Sequence, residues 1–305
     1  MLIIAGIALV FAAVFGGYIL EKGNPWVLLQ PAELLIVGGA ASGIVLIANP
    51  PAVIRKMIRG AGAILKPPYR SRASFLRSLR LLYELFGYIQ RAGVTNLEPD
   101  VEDPKNSRIF KNYPELLQDP PTLNFLCDSL RMVVIGATTP GELDHLMDLD
   151  IEIQRRGNHE PVSALSSVAD ALPGLGIVAA VLGVVITMQA IGGSPETVGE
   201  KVAAALVGTF VGILLCYGVV GPIASRLDSL GEAHTQHLQV LRRAVVSFTK
   251  GASPLLALEY ARRSIPEECR PSFDEMETTI RRDAHIPPAP GAAKPEDHAQ
   301  TVVTA

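Results

Sequence analysis

Between Leu2 and Leu20 the chain places no charged side chain. Nineteen helical residues at about 1.5 Å each nearly cross a hydrocarbon core of about 30 Å. The same scarcity recurs further along. Of the 27 basic and 30 acidic residues, only six fall within residues 1–50 and 171–225. The other 200 residues hold 51 of them, about a quarter, which is an ordinary soluble density. Two membrane blocks therefore alternate with two water-facing blocks. This excludes a simple cytosolic enzyme, a disordered chain and a secreted disulfide scaffold. The net charge of -3 offers no field to attract nucleic acid. Cys127, Cys216 and Cys269 lack C-x-x-C spacing and read as inert thiols.

Four spans are expected, over residues 2–20, 34–48, 171–192 and 202–225. Gly23-Asn24-Pro25, Asn49-Pro50, Gly193-Ser194-Pro195 and Gly221-Pro222 punctuate them. The first run has no basic residue before it, so it does not read as a signal peptide. Residues 51–170 contain fifteen Lys and Arg and the tail from Arg226 contains ten, whereas the two short connections hold only Lys22 and Lys201. Basic segments stay inside. Both termini and both large segments are thus expected in the cytoplasm.

The expected fold class is an all-α membrane protein, with four transmembrane helices in two hairpins and a helical cytoplasmic domain. The expected division is a hairpin over 1–49, a cytoplasmic helical domain over 50–169, a second hairpin over 170–225, a cytoplasmic helical region over 226–285 and a disordered tail over 286–305. Residues 52–66 read as an amphipathic helix, and 71–92 as a helix ending before a loop that contains Glu98. Thr139-Pro140-Gly141-Glu142 and Ser272-Phe273-Asp274-Glu275 are capping boxes. His234 and His237 share a helical face, which reads as solvated because nothing nearby completes a metal site.

No ionisable group lies clearly inside a span, since Glu33 and Asp170 flank the second and third and read as interfacial. An intramembrane carboxylate is the usual proton or cation carrier. If the protein moves ions, a partner chain supplies that group. Gly39/Gly43 and Gly208/Gly212 have the spacing that lets helices approach closely. The Thr209 hydroxyl can bond its own backbone or face a path. Pro173 enters the third span and Pro222 ends the fourth; each is either helix punctuation or a bend. No nucleophile, zinc or P-loop motif is present, which argues against an enzyme.

Several motifs in order give the chain a resemblance to the flagellar stator family MotA, within the wider MotA/TolQ/ExbB group. They are Gly16-Gly17-Tyr18, Gln30-Pro31-Ala32-Glu33, Leu97-Glu98-Pro99-Asp100-Val101-Glu102-Asp103-Pro104, the run from Asp170 through Pro173 to Val185, Val207-Gly208-Thr209-Phe210-Val211-Gly212, and Arg270-Pro271-Ser272-Phe273. The resemblance implies a homo-pentamer in the bacterial inner membrane, around two copies of a single-span MotB partner that supplies an aspartate. It implies proton flow, no cofactor, and torque on the rotor protein FliG. It implies Pro173 and Pro222 as conformational hinges, Thr209 and Ala180 on the ion path, and Glu98 as a rotor-facing acid. The matching basic position holds Gln90, so the rotor-facing cation falls to Arg91. Asp150 keeps an acidic character usually supplied by glutamate. Sodium-driven relatives tend to carry threonine where Ala180 stands, which favours protons. The competing readings are a TolQ- or ExbB-like energiser, a sodium-driven stator, a passive scaffold and a membrane enzyme.

Overall fold

A computed structural model describes residues 2–64, 71–189, 192 and 194–283. The expected tail over 286–305 lies outside them. Among the described residues the structure is helical, with no strand. It divides into two compact units, residues 1–69 with 154–233 and residues 70–153 with 234–305.

The first unit holds four helices long and apolar enough to cross a membrane. In a bilayer a helix satisfies every backbone group internally. Helix α1 (Leu2–Leu20) buries none of its side chains within the chain. The Asn24 side chain accepts from the Trp26 amide at 3.1 Å and Pro25 starts a short 3-10 turn. Pro31 then opens α2 (Pro31–Ala48), and Pro50 and Pro51 separate it from α3 (Pro51–Ala63). The amphipathic α3 packs with the spans. Its Lys56 meets Glu160 at 3.2 Å, and Gly60 sits under Leu227. Residues 50–64 and 154–169 thus belong to the unit that contains the spans.

The second unit begins with α4 (Arg72–Ala92), capped by Ser71 and ended at Gly93, whose φ of 89° suits glycine. Where the sequence reading expected a loop, a 3-10 turn over Val94–Leu97 leads into a short helix, α5 (Glu98–Glu102). Pro99 sits in its first turn, where a missing amide is harmless. Next come α6 (Pro114–Leu117) and α7 (Pro120–Ile135). Helix α8 (Pro140–Met188) is 49 residues long and starts in this unit. Its capping box forms as expected: the Thr139 amide donates to Glu142 at 2.7 Å and the Glu142 amide to Thr139 at 3.3 Å.

Helix α9 (Pro195–Leu215) returns through the first unit, passes a π turn over Cys216–Val220, and continues as α10 (Gly221–Thr249). Helices α11 (Pro254–Arg263) and α12 (Phe273–Asp283) complete the second unit. The Ser272–Glu275 box also forms, at 2.7 and 3.1 Å.

The two units are packed by different side chains. The second has a large core that includes Leu79, Leu82, Phe86, Phe125, Leu241 and Met276. Phe86 lies flat on Phe248 with centroids 4.2 Å apart. His237 is buried there, stacked on Phe75 at 5.3 Å with Nε2 3.2 Å from the Ser78 hydroxyl. That corrects its reading as part of a solvated face. His237 completes the inner side of α10 between Thr235 and Leu238, which are also buried.

The first unit has only a small cluster of Val37, Ala41, Ala169, Leu172, Ala179 and Cys216. Its tightest contacts are made by glycine. A Cβ on Gly176 of α8 would stand 2.7 Å from the Gly208 carbonyl oxygen of α9, and one on Gly212 would stand 2.5 Å from the Leu172 carbonyl oxygen. Of the two G-x-x-x-G pairs, Gly208/Gly212 forms this contact, while Gly39 and Gly43 face open space.

Gly176→Val should therefore lower the thermal stability of the purified protein in detergent by about 1–3 kcal/mol. Gly39→Ala should leave it unchanged. Glu259 gives a second test. It accepts from Arg262 and from Arg263, both at 2.7 Å. The Arg262 hydrogen bond above all holds its carboxyl down to about 2, against burial. A depressed carboxyl stabilises the fold above its unfolded value of 4.5 and loses that contribution as pH falls toward 2. Acid melts over that window should show a loss of at most about 3 kcal/mol, and Glu259→Gln should flatten the slope.

Candidate functional site in the membrane unit

The contact between α8 and α9 also holds the first pair of residues read as ion-path positions. The Thr209 hydroxyl donates across to the Gly176 carbonyl of α8 at 3.4 Å. It bonds neither its own helix nor open space. Ala180 lies on the facing helix, with its amide nitrogen 3.4 Å from where a Gly208 Cβ would stand. Both residues are half-buried. The structure thus brings Thr209 and Ala180 to the same helix contact, Thr209 against Gly176 and Ala180 against Gly208.

Glu33, expected where the second span starts, stands in the first turn of α2; it is only 7% exposed, pressed against the α8–α9 pair. A Cβ on Gly208 would meet its Oε2 at 2.6 Å, and one on Gly183 would meet its Oε1 at 3.5 Å. Oε2 is buried without a hydrogen-bond partner among the described residues. The glycines open the space that a carboxylate occupies. The spacing could have shown this, because Gly183 and Gly208 are small residues on the two helices of one hairpin. What pattern alone did not reveal is which helix fills the gap between them.

The two prolines lie within continuous helix. Pro173 is deep within α8, which also carries Pro161. An interior proline leaves the carbonyl four residues back, here that of Ala169, without its helical donor. Pro222 is the second residue of α10, and helix continues beyond it to Thr249. The break in regularity comes just before, in the π turn, where the missing amide and the widened turn are accommodated together. A Cβ on Gly221 would stand 2.9 Å from the Cys216 carbonyl oxygen.

The charged candidates lie in the second unit. Arg91 is in the last turn of α4 and Glu98 opens α5, one short turn later. Both are exposed, and neither has an ion-pair partner among the described residues. Gln90 is exposed beside Arg91. Asp150 is half-buried on α8 and already engaged in an interaction, so it is not a free acidic site. On the same helix Asp144 pairs with Arg242 at 2.6 Å, and Asp148 pairs with Arg242 as well. Tyr113 is buried over Arg80 beside Glu84, and burial pushes its hydroxyl well above the usual tyrosine range. Burial likewise pushes the Cys127 thiol up to about 12, consistent with an inert cysteine. Among the described residues no His, Cys, Asp and Glu cluster could hold a metal ion.

Four spans, a glycine-packed hairpin and a buried carboxylate beside a threonine define a multi-pass membrane subunit suited to ion movement. Two family models match the chain. One, described as Motility protein A N-terminal, covers residues 4–93; the other, the MotA/TolQ/ExbB proton channel family, covers residues 118–240. Motility protein A of Salmonella typhimurium (strain LT2) is 36% identical over 281 residues, 92% of this chain and 95% of that protein. Motility protein A of Escherichia coli (strain K12) is 35% identical over the same length and shares. The chemotaxis protein LafT of Vibrio parahaemolyticus is 36% identical over 272 residues, 89% of this chain and 95% of that one. Among solved structures, C. jejuni MotAB aligns with a TM-score of 0.72 at 19% identity, covering 87% of this chain and 96% of that one. The flagellar MotAB stator complex of Bacillus subtilis aligns at 0.70 and 21% identity, covering 90% and 98%. These two alignments show a shared fold. The chain belongs to the MotA/TolQ/ExbB proton channel family, and within it to the Motility protein A group of flagellar stator subunits.

The glycine cradle around Glu33 predicts opposite outcomes for two substitutions. Glu33→Gln keeps shape and should melt close to the parent. Glu33→Arg puts a larger side chain and an unpaired charge against Gly183 and Gly208, and should destabilise the purified protein by several kcal/mol. Equal melting of the two variants would contradict the packing described here.

Proposed function

We propose that this stator subunit assembles as a pentamer around two copies of a MotB-like single-span chain in the bacterial inner membrane, and that the complex uses proton flow to turn a FliG-type rotor. The observation that carries this reading is the composition of the α8–α9 hairpin. It supplies close-packed glycines, Thr209 and Ala180, while the carboxylate that meets those glycines, Glu33 of α2, is wedged against the pair. A carrier that must pick up and release a proton needs access to both sides. An aspartate on the partner's span meets that need, with Thr209 and Ala180 beside it on the ion path.

The rest follows from charge and position. The excess of Lys and Arg on one side of the spans orients both termini toward the cytoplasm. Each proton crossing supplies about 2.3 kcal/mol per 100 mV. Pro173, deep in a long helix, and Pro222, after a π turn, are places where a helix can bend at low cost. They serve as the hinges through which protonation moves the subunit. Exposed Arg91 and Glu98 offer unpaired charges of opposite sign one turn apart, a pattern able to grip charges on a rotor. Sodium would need several oxygen ligands in place of its water shell. Ala180 provides none, which supports protons.

The test is motility. Co-expression with a MotB-like partner in a strain lacking its own stator should restore swimming in sodium-free medium, and a protonophore should stop it. Glu98→Lys and Pro173→Ala should each slow swimming while the complex still assembles. Swimming that requires sodium and survives the protonophore would replace the proton with sodium. Full swimming in both variants would leave the chain a passive scaffold.

A further inference from the structure

Between Glu33 and Glu84 the sequence has eight basic residues and no acidic one. Lys66 and Arg70 lie outside the described residues. Four of the other six have an acid to pair with. Lys56 meets Glu160, Arg72 meets Glu275, Arg77 meets Glu115 at 2.6 Å and Arg80 meets Glu84 at 3.1 Å. Arg55 and Arg59 are exposed and have no ion-pair partner among the described residues. Both belong to α3. Among the described residues, the uncompensated charge of this run therefore sits on one short helix.

The two arginines share a face of that helix. Residues three or four apart lie on one side, which groups Arg55, Ile58 and Arg59. Ile58 is 65% exposed. The opposite side carries Val53 and Ile64, both buried, and Gly60, which lies under Leu227 of α10. Only Asn49 and Pro50 separate α3 from Ala48, the last residue of the second span. From there α3 runs across the neighbouring helices, not along them. Lys56 touches α8 at Gly157 and Glu160, and one turn later Gly60 meets α10 at Leu227. These places lie at nearly one level, since Gly231, one turn beyond Leu227, neighbours Asn158 of α8. A helix that starts where a span ends and crosses its neighbours stays at the edge of the bilayer. There long arginine side chains reach lipid phosphates, and an isoleucine between them enters the acyl boundary.

We propose that the outer face of α3 docks on acidic phospholipid in the adjoining leaflet, with Arg55 and Arg59 on the headgroup phosphates and Ile58 at the acyl boundary. Charge complementarity and continuity with the second span both favour this occupant. Orienting the chain needs only a count of basic residues on one side. Two unpaired arginines flanking an exposed apolar side chain on one face add recognition of the lipid itself. The surface goes beyond the stator reading and does not depend on which ion is carried.

The full chain with its single-span partner can be placed in nanodiscs of phosphatidylcholine, with or without phosphatidylglycerol. A thiol introduced by Ile58→Cys then reports docking through its rate of reaction with an uncharged, water-soluble maleimide. Cys269→Ser removes the half-buried native thiol, and Cys127 and Cys216 are buried. Phosphatidylglycerol should slow the reaction by up to about 30-fold, as two arginines near an acidic surface imply. Arg55→Gln with Arg59→Gln should abolish that difference. So should about 1 M salt, which shortens the screening length to about 3 Å and needs no arginine variant to fold. Arg72→Gln with Arg77→Gln removes as much charge from paired positions and should preserve the difference. Equal rates in the two discs would overturn the proposal, and equally slow ones would place a second copy of the chain over α3. A difference that survives both salt and the α3 double variant would overturn it as well. The labelling is read without swimming, so this result and motility can fail separately.

Discussion

The approach of α8 to α9, with glycine where any side chain would collide, is the contact on which the membrane unit depends. Lipid tails are as apolar as leucine, so burying apolar surface gives two spans little reason to associate. What remains is close packing. Gly176, Gly208 and Gly212 let the two backbones meet, and Gly183 extends the seam. The Thr209 hydroxyl then reaches a carbonyl of the neighbouring helix. Glu33 fits only because Gly183 and Gly208 leave room for it. A single seam therefore sets the positions of two residues that chemistry can use.

The second unit is held together differently. Its core is leucine and phenylalanine, including the parallel rings of Phe86 and Phe248. Water supplies the driving force there, so large side chains do the packing and small ones are not needed. Glu84 is buried in that core but has Arg80 at 3.1 Å, and Arg80 in turn lies over Tyr113. In the membrane unit Glu33 is likewise buried, and its Oε2, like Glu84 Oε2, has no hydrogen-bond partner among the described residues.

Much of this was legible in the sequence. The first span matches its charge-free run at both ends, because composition alone decides where a bilayer helix can lie. Both capping boxes are local chemistry, readable over four residues. The contacts that depend on three dimensions were not legible. Gly39/Gly43 and Gly208/Gly212 have identical spacing, yet only the second pair meets another helix. His234 and His237 share a helical face by counting, but His237 is buried under Phe75 because of what packs against that face. The two prolines could be read as punctuation or as bends, and the long helix α8 carries Pro161 and Pro173 without stopping.

The π turn at Cys216–Val220 has a geometric consequence for everything counted along that stretch of chain. It fits in one more residue than an α-helix would, and each residue of an α-helix advances the phase by about 100°. Two positions that share a side by threes and fours across Cys216 therefore do not share it in space. The face of α9 that carries Gly208 and Gly212 and the face at the start of α10 keep separate clocks. Hydrophobic periodicity on each side of the turn is intact, so the offset leaves no trace in any pattern of apolar residues. Deleting one residue there would leave those patterns unaltered and swing the start of α10 by roughly a quarter of a revolution.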